Sequence, residues 1–332
     1  MFNFVIKKKD NNPLYIIEYF FLFSIIIAPF FLPYSRFFSD FFLSLSGLFF
    51  LITAFYKNDY KIFLKKYSIV LYIWYLYLLF VSLIAEDILL SFESTLFYFR
   101  YILYALAITY CLKNYTKFTN LYLFSLVIST TILLLDSYIQ LIFGYNIVGY
   151  KYENGWNRLS SFFNDDYILG SYLSRIIPLI LGLFIIAKIK NNLSIIIISI
   201  FLIMSFIIIL FSGDRSGLLY FVLLCFFLIL LINLKLSYKF LILFISIISF
   251  LIIISVNNSI YKRMIEYTKF QIFNDSKIFL FSVQHQLIYE TSFKIIQDNY
   301  IFGIGPKNFR NVCINYKSFS KYDPTVNGCS TH

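Results

Sequence analysis

The chain is built as a succession of apolar runs, each close to the length of a bilayer crossing and each separated from the next by a short polar connection. A helix crossing hydrocarbon needs roughly 20 predominantly apolar residues. About nine runs meet that requirement: residues 14–32, 37–56, 67–85, 97–112, 121–143, 167–187, 193–212, 216–233 and 238–256. Hydrophobic residues make up 60% of the chain and charged residues only 14%, whereas soluble domains carry about 25% charged residues. The predicted fold is therefore all-α, a polytopic helical membrane protein. Residues 1–256 are expected to form a transmembrane bundle and residues 257–332 a loop outside it.

The connections carry an orientation signal. With the N-terminus placed in the cytoplasm, the inner connections hold Lys7, Lys8, Lys9, Lys57, Lys61, Lys65, Lys66, Lys113, Lys117, Lys188, Lys190, Lys235 and Lys239. The outer ones hold Glu86, Asp87, Glu93, Glu153, Asp165, Asp166 and Asp214. Basic residues concentrate in cytoplasmic loops, so all runs agree on one orientation. The apolar run after Lys7–Lys9 is long and lacks a small-residue cleavage site, so it is read as an uncleaved first span. The net charge of +11 then concerns membrane orientation. No basic patch interleaved with aromatics accompanies it, and no nucleic-acid partner is expected.

Three unusual segments fall on the outer face: 144–166, the short turn at 212–217, and everything after about residue 257. In a bacterium with two membranes that face is the periplasm, which places the chain in the inner membrane. Cytoplasmic nucleotides do not reach it, so a substrate must arrive already activated, on a membrane lipid. Within the outer tail, Ile278, Phe281, Ile288, Phe293 and Ile296 recur at roughly helical spacing. They predict an amphipathic helix over 277–299 lying against the bundle or the interface. The glycines and proline of "FGIGPKNF" (302–309) end it.

Charged positions on this face need reasons. "SGDRSG" (212–217) joins two spans so tightly that Arg215 is held at the outer surface. A snorkelling lysine would serve equally well there. Arginine instead offers a planar, permanently charged fork suited to phosphate. Arg158 precedes a Ser-Ser-Phe-Phe stretch, and Asp165 and Asp166 complement the dipole of the helix they open. Arg175 lies deeper, where a charge is costly. Asp136 is its candidate partner, as a buried ion pair or a functional one. The outer tail holds His285, Lys307, Arg310 and His332, and these two are the chain's only histidines. A histidine suits general-base work on a hydroxyl, and nearby cations suit an anionic leaving group.

Cys313 and Cys329 both lie in the outer loop, in an oxidising compartment on this topology, and are predicted to pair. Closing that loop would contribute roughly 3 kcal/mol. Cys111 and Cys225 fall in spans and read as packing residues. Two histidines and no close cysteine pair give no metal-ligand set, and no cofactor is expected.

Taken together, "RLSSFFNDDYILGSYLSRIIP", "FSGDRSG" and "IFGIGPKNFRNVC…NGCSTH" resemble the O-antigen ligase and O-antigen polymerase superfamily of bacterial membrane proteins. The resemblance covers about Arg158 to His332. It implies a GT-C-like glycosyltransferase that is metal-independent and inverting. The implied donor is an undecaprenyl-diphosphate-linked glycan, and the implied acceptor is lipid A–core or another lipid-linked glycan. Arg215 matches the arginine of the short periplasmic turn and is expected to bind the donor diphosphate. His332 matches the first loop histidine and is expected to activate the acceptor hydroxyl. His285 stands where many members have an arginine, four residues before an aromatic, here Tyr289. Arg158, Lys307 or Arg310 is then the expected second cation. The family continues past the histidine motif into further spans, so the chain is expected to be cut inside its large periplasmic loop. The competing reading is a multi-span transporter or flippase, which predicts paired charges at mid-membrane.

Overall fold

A computed structural model describes residues 13–152, 158–187, 192–231, 235–274, 277–278, 283–316 and 328–329. The protein is all-helical apart from a two-residue antiparallel pair, Phe273–Asn274 with Lys277–Ile278. In chain order the helices are α1 (Pro13–Ile27), α2 (Arg36–Tyr56), α3 (Lys66–Leu83), α4 (Ile88–Leu96), α5 (Phe99–Asn114), α6 (Phe118–Phe143) and α7 (Leu169–Ile186). They continue as α8 (Asn192–Phe211), α9 (Arg215–Leu231), α10 (Leu236–Val256), α11 (Asn258–Tyr261), α12 (Tyr267–Ile272), α13 (Val283–Asp298) and α14 (Phe309–Val312).

Each predicted apolar run falls on a helix. Among the described residues, six segments are long and apolar enough to cross a membrane: Arg36–Tyr56, Lys66–Leu83, Ile88–Asn114, Phe118–Phe143, Leu169–Ile186 and Lys239–Val256. Tyr15–Phe31, Ile196–Phe211 and Arg215–Phe227 are shorter apolar helices. The chain is thus a multi-pass helical membrane protein. The fourth run differs from expectation, because its helix starts at Ile88 rather than 97 and is interrupted between α4 and α5. Asp87 sets that start by accepting the Leu90 N–H at 3.0 Å as an N-cap.

The chain divides into two compact units, one of residues 1–42 with 111–266, the other of residues 43–110 with 267–332. In the first, α7 packs on α6, α8 and α9. Where α1 gives way to a tighter turn at Ala28–Phe31, helical carbonyls lose their partners. Hydroxyls of α6 replace them: Ser125 donates to the Ile26 carbonyl and Ser129 to that of Phe30, each at 2.7 Å. In hydrocarbon such groups must be satisfied by the protein.

The C-terminal end of α6 holds a buried polar network that fixes the connection to α7. Asp136 accepts from the Ile147 N–H at 2.9 Å, from Asn146 Nδ2 at 3.2 Å and from the Ser161 hydroxyl. Gln140 Oε1 accepts the backbone N–H groups of Ser160 and Ser161, and its Nε2 donates to the Tyr150 carbonyl. The expected pairing of Asp136 with Arg175 is not formed. The loop backbone and Ser161 take up the carboxylate, while Arg175 is exposed on the outside of α7.

In the second unit α13 begins at Val283, later than the predicted 277, because Lys277–Ile278 pair as a strand. Phe281 lies outside the described residues. The helix buries Leu287, Thr291 and Ile295, a face spaced i, i+4, i+8. Phe293 and Ile296, expected to lie against the bundle or the interface, are 62% and 57% exposed. Ile295 packs with Val312 and Cys313. Cys313 and Cys329 are joined by a disulfide, with Cα atoms 5.6 Å apart. Gly328 closes against α13, where a Cβ would stand 2.6 Å from the Leu287 carbonyl oxygen. Cys111 and Cys225 are buried free thiols.

Replacing Asp136 with alanine removes the shared acceptor of the Ile147 N–H, Asn146 Nδ2 and the Ser161 hydroxyl. The expected loss is about 3 kcal/mol, read as a lower unfolding temperature of the detergent-purified protein. An Arg175→Ala variant is expected to unfold close to wild type.

Candidate functional site

The site is built on the turn between α8 and α9, in the first unit. Gly213 adopts φ +63°, a left-handed conformation that glycine adopts without cost, and this lets the chain reverse within the few residues between Phe211 and Arg215. The turn lies hard against the start of α7. A Cβ on Gly217 would meet the Gly170 carbonyl carbon at 2.7 Å, and one on Gly170 would meet the Asp214 Cβ at 2.7 Å. Glycines at both positions allow α7 and α9 to come this close.

Asp214 organises the turn. Its carboxylate accepts hydrogen bonds from the hydroxyls of Ser171 and Ser216 and from the Gly217 N–H at 3.1 Å. Burial pushes its pKa up. The hydrogen bonds from Ser171, Ser216 and Gly217, together with the charge of Arg158, outweigh that and hold it below its ordinary value. It therefore stays ionised at the N-terminus of α9, the end that favours a negative charge.

Two arginines flank Gly213. Arg158 Nε donates to the Ser212 carbonyl at 2.8 Å and its NH2 to the Tyr167 carbonyl at 3.1 Å, with the guanidinium over the Tyr167 ring. Arg263 Nε donates to the Gly213 carbonyl at 2.8 Å. Arg215, half-buried, is the first residue of α9. Burial lowers the Arg158 pKa to about 10, and the charges of Arg263 and Arg215 add to that, opposed by Asp214 and Tyr167. Three cations around one carboxylate at a helix N-terminus form an anion-seeking site.

The expected site residues are distributed as follows. Arg158 and Arg215 meet at this turn. Arg263 joins them on a π-helical turn, Lys262–Glu266, a feature frequent at functional sites. Sequence reading passed over Arg263, although the signal existed. The argument applied to Arg215, an arginine where this chain otherwise favours lysine, applies to it as well. His285, Lys307 and Arg310 are exposed and belong to the second unit. His332 lies outside the described residues.

The second unit presents the segment that carries Lys307 as a rigid turn. Gly303, Gly305 and Lys307 have φ of 71°, 84° and 60°. Fully buried Asn308 bolts the turn to the α3–α4 connection. Its Oδ1 accepts the Asp87 N–H at 2.9 Å and its Nδ2 donates to the Ser91 hydroxyl at 2.6 Å. Ser91 in turn donates to the Pro306 carbonyl at 2.7 Å. An open cleft of about 700 Å³ beside it is lined by Glu86, Asp87, Ile88, Leu89, Asn311, Ile314 and Asn315.

These features define a multi-pass helical membrane protein with a cationic turn at one membrane face. Residues 199–332 match the family model described as O-antigen ligase. The matched segment contains Asp214, Arg215 and Arg263, while Arg158 lies before it. No curated protein and no solved structure matches the chain.

Because the folded-state pKa of Asp214 is depressed, its contribution to stability is present above its unfolded value. That contribution is lost as pH falls through the folded one. Asp214→Asn is expected to cost about 2 kcal/mol at neutral pH. It should also flatten the acid limb of thermal stability below about pH 4 relative to wild type, as read by unfolding temperature against pH.

Proposed function

We propose that the chain is a membrane glycosyltransferase of the O-antigen ligase or polymerase type, with a GT-C-like fold and its nine apolar helices all crossing the membrane. The N-terminus lies in the cytoplasm, residues 257–332 belong to a periplasmic loop, and the protein resides in the inner membrane. The lysine-rich connections support that orientation. The observation that carries the functional reading is the convergence of Arg158, Arg215 and Arg263 on the α8–α9 turn. Two of the three lie within the segment matching the O-antigen ligase family.

The donor is an undecaprenyl-diphosphate-linked oligosaccharide and the acceptor is a hydroxyl of lipid A–core or of another lipid-linked glycan. The acceptor oxygen attacks the anomeric carbon and forms the new C–O bond. The bond from that carbon to the diphosphate oxygen breaks, and its electron pair leaves with the diphosphate. His332 takes the acceptor proton. The arginines hold the diphosphate and meet the charge that grows on it in the transition state, so no strong acid is needed at the leaving group. Attack opposite the leaving group inverts the centre, and no metal is required. His285, Lys307 and Arg310 are assigned to donor-diphosphate binding on the sequence resemblance alone.

The transporter reading drew on a mid-membrane pair of Asp136 with Arg175. Asp136 is instead committed to the loop between α6 and α7, and no other observation favours that reading.

In a host whose surface polysaccharide depends on this gene, Arg215→Ala and His332→Ala are expected to lower transfer about a hundredfold or more. The long-chain ladder should disappear from lipopolysaccharide gels at normal membrane levels of protein. Unattached lipid-linked polymer accumulating in these variants would indicate a ligase, and core bearing a single repeat would indicate a polymerase. A ladder unchanged in both would overturn the site assignment.

A further inference from the structure

Helix α13 has three faces. Leu287, Thr291 and Ile295 are buried against the disulfide-bridged segment. Glu290, Lys294 and Gln297 form an exposed polar face. Between these, Tyr289, Phe293 and Ile296 form an exposed apolar stripe, and Tyr300 extends it past the helix end at 78% exposure. The spacing of 4, 3 and 4 residues keeps one side of a helix. A stripe of large aromatic and aliphatic side chains beside a charged face fits a helix lying in a membrane interface.

The stripe leads into a contact with α3. Phe302 follows it, and its ring meets that of Phe80 edge-on at 5.5 Å, while the Tyr77 hydroxyl donates to the Phe302 carbonyl. Tyr77 and Phe80 belong to the last turns of α3, one of the helices long and apolar enough to cross the bilayer. On α3, Leu76, Tyr77, Phe80 and Leu83 are themselves exposed apolar positions. The apolar surface of α13 is therefore continuous with that of a transmembrane helix near its end.

We propose that the Tyr289–Phe293–Ile296–Tyr300 stripe is a membrane-docking surface. It lies in the interfacial layer of the bilayer that α3 crosses, at the level of the α3 C-terminus. The partner is the lipid surface itself. Aromatic rings sit at the headgroup level, Lys294 and Gln297 face water, and His285, one turn before Tyr289 on the same side, is carried to the depth of the lipid phosphates. The docking is a property of the loop and does not depend on the reaction proposed above.

The test uses the full chain reconstituted in phosphatidylcholine vesicles, with Trp74 and Trp156 replaced by phenylalanine. Single tryptophans are placed by Phe293→Trp, Ile296→Trp and, on the polar face, Gln297→Trp. All three positions are exposed and tolerate the change. Tryptophan at 293 or 296 is expected to emit further to the blue than at 297. Lipids brominated near the headgroup end of their acyl chains should quench it, while aqueous iodide should affect it little. The Gln297→Trp protein should show the opposite pattern. Strong iodide quenching at both 293 and 296 would overturn the proposal. So would shielding from both quenchers, which would mean that another segment of the chain or a second copy covers the stripe.

Discussion

The architecture of the first unit turns on the close approach of the α8–α9 turn to the start of α7. Two glycines, Gly170 and Gly217, leave no side chain between the backbones, and Asp214 fills the remaining polar requirement with bonds to Ser171, Ser216 and the Gly217 N–H. The contact does more than pack helices. It brings the Ser212 and Gly213 carbonyls to a place where Arg158 and Arg263 reach them from separate segments of the chain. Arg158 is oriented by two backbone carbonyls, those of Ser212 and Tyr167, and Arg263 by that of Gly213. The site is thus a consequence of backbone proximity.

The loop carrying Arg158 is held just as firmly from the other side. Asp136 and Gln140 accept its N–H groups at the end of α6, and the Leu159 N–H donates to the Phe211 carbonyl. A connection outside the spans would ordinarily be mobile. Here buried acceptors in the bundle set its path, and a charge in the bundle that looked like half of an ion pair serves to position a loop.

Much of this was legible in the chain. Apart from the start of the fourth, the apolar runs located the helices to within a few residues, because a hydrocarbon crossing imposes length and composition together. The SGDRSG turn was readable, since two glycines around charged residues between apolar runs leave few alternatives. Three things were not readable. Asp136 and Arg175 are both unusual charges in spans, and periodicity does not say which way each points. Asp136 turned to the loop and Arg175 outward. The start of α13 was misplaced because the apolar residues at 278 and 281 continue a helical spacing into a segment where Lys277 and Ile278 pair as a strand. Nor does the sequence say which of that helix's two apolar stripes the protein covers, so bundle and interface both stayed open for Phe293 and Ile296.

The chemistry of the turn explains why position 158 holds an arginine in a chain that otherwise prefers lysine. Burial and the neighbouring charges of Arg263 and Arg215 bring Arg158 down to about 10, which leaves it fully charged at neutral pH. A lysine ammonium, ordinarily near about 10.4, is a more strongly hydrated ion and shifts readily when buried. In the same crowded and half-desolvated place it would lose part of its charge near neutrality. Only a guanidinium starts high enough to survive both the burial and its cationic neighbours. Under the proposed function, a diphosphate would present its charges to this cluster over a span that a single carboxylate does not.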